Sequence, residues 1–246
     1  MPLDRRRFLT LSAGLATGLT TGLAAGLAGL ATSVGAAGSA AAQGYGQAFP
    51  VTGDEGRPVA NMRLPGEITG EIQALRGVTY VGPREAETTL YEFFDFNCPY
   101  CRKAAADVAS LSASDSALRI GLVHNPILSV QSAQAAKVAL AVQRKLGSAA
   151  AWSLYGQLLG KPGRIDGPGA LAVAGSLGAK AAEIEEIADS EEVRLALKSH
   201  MRVAADLGLY ATPSYVLGNT GILGHPGVNA LARMIAALRR CDRIAC

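Results

Sequence analysis

The sequence predicts an α/β domain laid out as β-α-β, then a block of helices, then β-β-α. Three observations predict it. Thr88 to Phe96 (TTLYEFFDF) is dense in aromatic and β-branched residues and runs directly into an Ala-rich helical stretch. Residues 129–207 carry apolar side chains at helical spacing almost throughout. Strand signal returns only at Ser214 and is followed by a turn, a second short strand and a last helix.

The first 42 residues are set aside before the fold is read, because they have the form of an export signal. Arg5, Arg6 and Arg7 precede Phe8 and Leu9, and a Leu, Ala, Gly and Thr run then extends to about Ala37 without a charge. Ser39-Ala40-Ala41-Ala42-Gln43 supplies the small residues of a cleavage site. The Arg-Arg-x-Phe-Leu core resembles a twin-arginine signal, which places the mature chain in the periplasm; an uncleaved membrane anchor is the alternative. Removing residues 1–42 takes away three arginines and one aspartate and leaves 20 basic and 19 acidic residues. The near-neutral remainder has no electrostatic footprint for nucleic acid. About 200 residues are enough for one domain with a proper core.

Residues 43–77 mix Gly, Pro, Gln and isolated charges without periodicity and read as a flexible or extended lead-in, within which Gly66 to Arg76 is a candidate short helix. Val78 to Val81 is a candidate strand stopped by Gly82-Pro83. The domain proper is expected over residues 78–240. After the Thr88–Phe96 strand, Pro99 fits the first turn of a helix that continues through Arg102 to Leu111. Leu118 to Val123 (LRIGLV) reads as a buried strand ended by Asn125-Pro126, completing a parallel crossover unit. The helical insertion spans about 129–207, as Ser129–Leu146, Ala149–Leu159, Gly167–Leu177, Ala179–Ala188 and Ser190–Leu207, with Gly160, Gly163, Gly178 and Gly208 as stops. Ser214–Leu217, a Gly218-Asn219-Thr220-Gly221 turn and Ile222-Leu223 make a hairpin, and a helix follows over Val228–Arg240.

The chemistry-bearing motif is Cys98-Pro99-Tyr100-Cys101 between the first strand and its helix. Residues three apart on a helix share a face, with Cβ atoms roughly 5–6 Å apart, so the two sulfurs are within bridging reach. Cys98 falls at the helix N-terminus, where unpaired N–H groups and the helix dipole favour a thiolate. That makes it the attacking sulfur, and Cys101, one turn inside, the resolving one. Half a zinc site and a structural disulfide are the competing readings of a Cys-x-x-Cys. His124, His200 and His225 form no paired ligand motif, and the remaining thiols, Cys241 and Cys246, lie at the far end on another spacing. No metal or organic cofactor is expected. Cys241 and Cys246 read as a structural disulfide closing a short C-terminal loop in the tail 241–246, with two free thiols or a second redox pair as alternatives.

Glu92 to Cys101 (EFFDFNCPYC) resembles the active-site segment of DsbA-like proteins of the thioredoxin superfamily. The similarity is greatest to the branch containing Com1-like and copper-sensitivity-suppressor (Scs) periplasmic oxidoreductases. It covers roughly residues 78 to 240 and includes Asn125-Pro126-Ile127-Leu128 and Ala211-Thr212-Pro213-Ser214-Tyr215. The resemblance implies a thioredoxin fold with an inserted helical subdomain. It implies that Thr212-Pro213 is the cis-proline loop beside the cysteines, whose backbone pairs with an extended substrate segment, the alternative being an ordinary trans turn before a strand. It also implies that Glu92 is a buried acid able to take the Cys101 proton, the alternative being a charge on a half-exposed strand. Asp95 fits either the family's pattern or a local turn cap. Strongly oxidising relatives carry His at the place of Tyr100. Lacking that cation, Cys98 is expected to be less acidic than in those relatives, which leaves the direction of traffic open. Glutaredoxin-like proteins share Cys-Pro-Tyr-Cys, but not the long insertion or the export signal.

The function expected is an exported thiol–disulfide oxidoreductase acting on extended or unfolded exported proteins, recharged by a membrane-bound redox partner. The lead-in, broken by Pro50, Pro58 and Pro65, favours a monomer. An oligomeric isomerase or reductase, and a copper-handling or holdase binding module, are the alternatives. His124 is expected to be a solvated loop histidine. Trp152 and Tyr155 are expected to be core or groove-lining residues. The acidic run from Glu183 to Glu192 reads as solvated surface around helix ends.

Overall fold

The computed structural model describes residues 47–246, so the signal-peptide expectation for residues 1–42 lies outside the described residues. The centre of the fold is β3 (Thr88–Phe94), whose TTLYEFF run is buried at six of seven positions. It pairs in parallel with β4 (Leu118–His124), Thr88 facing Leu118 and Phe94 facing His124. On its other side it pairs antiparallel with β5 (Ser214–Leu217), Glu92 facing Tyr215. β5 turns into β6 (Thr220–Leu223), and the short strands β1 (Asn61–Arg63) and β2 (Thr79–Val81) complete a sheet of order β1-β6-β5-β3-β4-β2.

Both faces of the sheet are covered, which is why β3 and β4 are near-continuous apolar runs rather than alternating ones. Leu90, Phe94, Ile120, Leu122, Tyr215 and Leu217 point to one face and pack in a common core with α2 (Pro99–Ser114), α4 (Ser148–Gly160) and α8 (Val228–Cys241). Tyr91, Phe93, Val123 and Val216 point to the other, against α7 (Glu191–Asp206) and Ile72 of α1 (Gly66–Gln73). Period-2 alternation therefore puts Glu92 on the α2/α4 face. The insertion consists of α3 (Val130–Leu146), α4, α5 (Gly167–Ser176), α6 (Ala181–Ala188) and α7, with α3 packed against the other four. Polar side chains cap three of them: Ser129, Asp166 and Ser190 accept from the amides of Ser132, Gly169 and Val193.

Three expectations are corrected. The lead-in is not a flexible segment from residue 47 onward: Phe49, Val51, Val59 and Leu64 are buried, and Asn61–Arg63 adds a strand beside β6. The hairpin turn is only Gly218-Asn219, with the strand resuming at Thr220. Gly218 sits at φ 57°, the left-handed conformation that a two-residue turn of this kind asks of its first residue, and a Cβ there would come within 2.8 Å of Leu238. His124 is not solvated: it ends β4, buried against Phe94 and Phe96, with its ring stacked on His200 at 6.0 Å. Cys241 and Cys246 are joined as a disulfide just beyond α8.

The fully buried Asn61 fastens the lead-in. Its Nδ2 donates to the carbonyls of Phe49 and Val59, both at 2.9 Å, and its Oδ1 accepts from the Phe49 amide at 2.8 Å. Asn61→Leu keeps the volume but strands these buried backbone groups. It should cost about 2–4 kcal/mol, read as a lower denaturant midpoint at unchanged slope; an unaltered midpoint would show that the lead-in adds nothing to stability.

Candidate active site

α2 begins where β3 ends, and the link between them is tied down on two sides. Asp95 accepts from the Asn97 amide at 2.8 Å through Oδ1 and from the Leu128 amide at 3.0 Å through Oδ2, so it holds both its own turn and the loop after β4. Asn97 pairs with the backbone of Ile165 in both directions, at 2.7 and 2.8 Å, and so fastens the turn to the insertion. Cys98 is the N-cap of α2 in extended conformation, and Pro99 takes the first helical position, where no N–H partner is needed.

Opposite Cys98 lies a loop 114 residues away in sequence. The Thr212–Pro213 peptide bond is cis, Thr212 and Pro213 are buried, and the Cys98 thiol donates to the Thr212 carbonyl oxygen at 3.0 Å. Ser214 Oγ braces this loop by donating to the Ala211 carbonyl at 2.7 Å. Cys98 is only 3 % exposed and Cys101 fully buried, both as free thiols, whereas Tyr100 between them is 67 % exposed.

Three ionisable groups share this volume and are pushed apart. A hydrogen bond from the Cys101 thiol pulls Cys98 down to about 6, against the cost of its burial. The Thr212 side chain and the N–H groups of Cys101 and Tyr100 add to that stabilisation. Cys101 is driven far above the ordinary thiol range by burial, by its donation to Cys98 and by the charge of Glu92. Glu92, fully buried on β3, is raised by desolvation to about 8, partly offset by a hydrogen bond from Tyr155 Oη to Oε2 at 2.7 Å. The five residues expected from the sequence, Cys98, Cys101, Glu92, Thr212 and Pro213, thus come to one place.

Sequence reasoning missed Tyr155 as part of this group. It lies on α4, 63 residues from Glu92, and nothing local to WSLYG marks it beyond an apolar helix face. A second chain was also unread: Tyr215 Oη bonds His225 Nδ1 and His225 Nε2 bonds Asp107, each at 2.8 Å. His225 and Asp107 line a cleft of about 660 Å³ with Tyr100, Lys103, Thr212 and, from the lead-in, Asp54, Glu55 and Arg57 to Ala60. Asp54 is held there by accepting from the amides of Asn229 and Ala230 at the start of α8, at 2.9 and 2.8 Å.

The profile of the DSBA-like thioredoxin domain matches residues 89–236. The chain belongs to the DsbA-like thioredoxin family. Solved structures with this fold include a thioredoxin-like oxidoreductase from Silicibacter pomeroyi DSS-3, 28% identical with a TM-score of 0.65 over 70% of this chain and 97% of that one. The thiol-disulfide exchange protein alpha-DsbA2 of Wolbachia pipientis is 21% identical, with a TM-score of 0.65 over 70% and 92%. The catalytic domain of Proteus mirabilis ScsC is 20% identical, with a TM-score of 0.63 over 70% and 97%. A 78-residue stretch is also 35% identical to part of the Na(+)/H(+) antiporter NhaA 3 of Salinispora tropica, covering 32% of this chain and only 12% of that protein. No helix among the described residues is long and apolar enough to cross a membrane.

A raised carboxyl has a stability signature. Glu92 binds its proton more tightly folded than unfolded, so its contribution is complete below the ordinary carboxyl value of 4.5 and is lost as pH rises towards 8. In the DsbA-like domain, the stability of the wild type relative to Glu92→Gln should therefore fall across that window, by on the order of 3–5 kcal/mol. A difference independent of pH, measured by denaturation at each pH, would remove Glu92 from the list of perturbed groups.

Proposed function

We propose that this protein is an exported thiol–disulfide oxidoreductase that forms, reduces or shuffles disulfides in exported proteins through Cys98-Pro99-Tyr100-Cys101. The observation that carries the reading is the Cys98 sulfur itself. It sits at the mouth of α2, supported by the Cys101 thiol and two backbone N–H groups, and faces the carbonyl of the cis Thr212–Pro213 loop. A thiol brought to about 6 is largely ionised at neutral pH, both an able nucleophile and a good leaving group.

In the proposed cycle the Cys98 thiolate attacks a substrate disulfide, expels one substrate thiolate and forms a mixed disulfide. Cys101 then attacks Cys98, the mixed disulfide breaks, a Cys98–Cys101 bond forms, and the second substrate thiolate leaves with its electron pair. Glu92 takes the Cys101 proton. Run backwards, the same steps donate a disulfide. The backbone of Thr212 and Pro213 receives an extended stretch of unfolded substrate by strand addition, and the neighbouring cleft accommodates its side chains. No cofactor is required. A membrane-bound redox partner recharges the site, after export by the twin-arginine-type signal to the periplasm. Support for a monomer comes from the lead-in, which packs on its own sheet.

Alkylation rate against pH tests the reading directly. Cys98 should titrate with a midpoint near 6, and Cys98→Ser should abolish insulin reduction, while Cys101→Ser should accumulate mixed disulfides with unfolded substrates. Between pH 6 and the ordinary thiol value of 9, ionised Cys98 means that one proton fewer is taken up on reduction, so the domain becomes a stronger oxidant relative to an ordinary dithiol as pH rises across that window. A midpoint at the ordinary thiol value, with no insulin reduction by the wild type, would leave only the binding-module reading.

A further inference from the structure

Glu92 is held by one oxygen only. Its Oε2 accepts the 2.7 Å hydrogen bond from Tyr155, while Oε1 is buried with no hydrogen-bond partner among the described residues. A buried carboxyl oxygen left bare costs free energy, so its presence calls for an explanation. The donor is not a chance neighbour. Phe94 meets the Tyr155 ring edge-on at 5.0 Å, and Trp152 lies flat against it at 5.3 Å with 9° between the planes. Two aromatic walls thus fix the direction in which the phenol points. Burial raises Tyr155 itself well above its ordinary value, so it donates at every working pH.

We propose that Tyr155, supplied by the inserted helix α4, is the positioning residue of the redox site: it holds Glu92 by Oε2 so that Oε1 is presented to the Cys101 proton. This rests on the oxidoreductase reading above and names a residue that reading does not require. In the resolving step the Cys101 sulfur attacks Cys98 of the mixed disulfide. The bond from Cys98 to the departing sulfur breaks, the Cys98–Cys101 bond forms, the leaving thiolate keeps its electron pair, and the Cys101 proton passes to Oε1. In reverse, protonated Glu92 returns that proton to Cys101. The titratable groups facing Glu92 are Cys98 and Cys101 from α2, Tyr155 from α4 and Tyr215 from β5; its β4 neighbour, Leu122, is apolar. Among these, Tyr155 is the donor that favours the carboxylate.

The test isolates resolution. The reduced protein is mixed rapidly with a nitrobenzoate disulfide: attack by Cys98 releases one coloured aryl thiolate, and resolution by Cys101 releases the second. Tyr155→Phe removes the hydroxyl and keeps the ring. The second phase should then move its pH midpoint up by about one unit, running roughly tenfold slower at neutral pH and meeting the wild-type rate at alkaline pH. The first phase should be little changed, and in Glu92→Gln this titration of the second phase should vanish. A second phase in Tyr155→Phe with the wild-type midpoint, whether or not uniformly slower, overturns the assignment. A wild-type protein that releases only one equivalent overturns the oxidoreductase reading itself, so the two failures are distinct. Infrared titration, with the Glu92 band identified by its loss in Glu92→Gln, reads the carboxyl directly. Its midpoint should lie lower in the wild type than in Tyr155→Phe, and an identical midpoint in the two overturns the proposal.

Discussion

A sulfur charge held almost out of water is the constraint around which this fold is arranged. An anion with 3 % exposure survives only if the protein supplies the donors that water would have given. Those donors come from the first turn of α2, from Cys101 and from the Thr212 side chain. Bringing them together takes three long-range ties. Parallel pairing of β3 with β4 sets where α2 starts. Antiparallel pairing of β3 with β5 carries the cis-proline loop to Cys98 from 114 residues away. Asp95 and Asn97 then lock the intervening turn to the loop after β4 and to the insertion.

The same dryness orders the other two groups. Cys98 lies near 6, Glu92 near 8, and Cys101 far above both. Two leading causes are at work: hydrogen bonding for Cys98, desolvation for Glu92 and Cys101. The groups also feel one another, since charge on Cys98 raises both Glu92 and Cys101. Forming the Cys98–Cys101 disulfide removes that charge and makes Glu92 a stronger acid. Redox state and carboxyl protonation are therefore linked, and macroscopic titrations of the reduced site belong to the group rather than to one residue.

Most of the frame was legible because it is written in local pattern. The TTLYEFF and LRIGLVH strands, the helix opened by Pro99, and the five helices of the insertion follow from periodicity and punctuation, and each lies within a few residues of its expected bounds. What escaped was written in partners distant along the chain. β1 is three residues, Asn-Met-Arg, with a polar residue at its most buried position, and only pairing with β6 makes it a strand. His124 reads as polar at a strand end; its burial is set by α7, which brings His200 against it, Nδ1 accepting from the His124 amide at 3.2 Å. Glu92 admitted two readings because the sequence does not say whether its face of β3 is covered; α4 lying on that face decides it.

The site divides into what the minimal β-α-β and β-β-α frame provides and what the additions provide. The frame alone gives the two sulfurs, the mouth of α2 and the cis-proline carbonyl. The insertion adds Tyr155 against Glu92, and the loop before α5 receives Asn97 at Ile165 and Arg102 at the carbonyls of Lys161 and Gly163. On the opposite side the lead-in, pinned by Asn61 and by Asp54 on α8, supplies a wall of the cleft. Cys98 therefore lies between two added walls, while the donors to its sulfur belong to the frame. The thiolate's own donors stay in place whichever wall changes, but Tyr155 in the insertion wall holds the carboxyl that is coupled to the sulfur. Only the lead-in wall is therefore physically separable from the sulfur's acidity in this architecture.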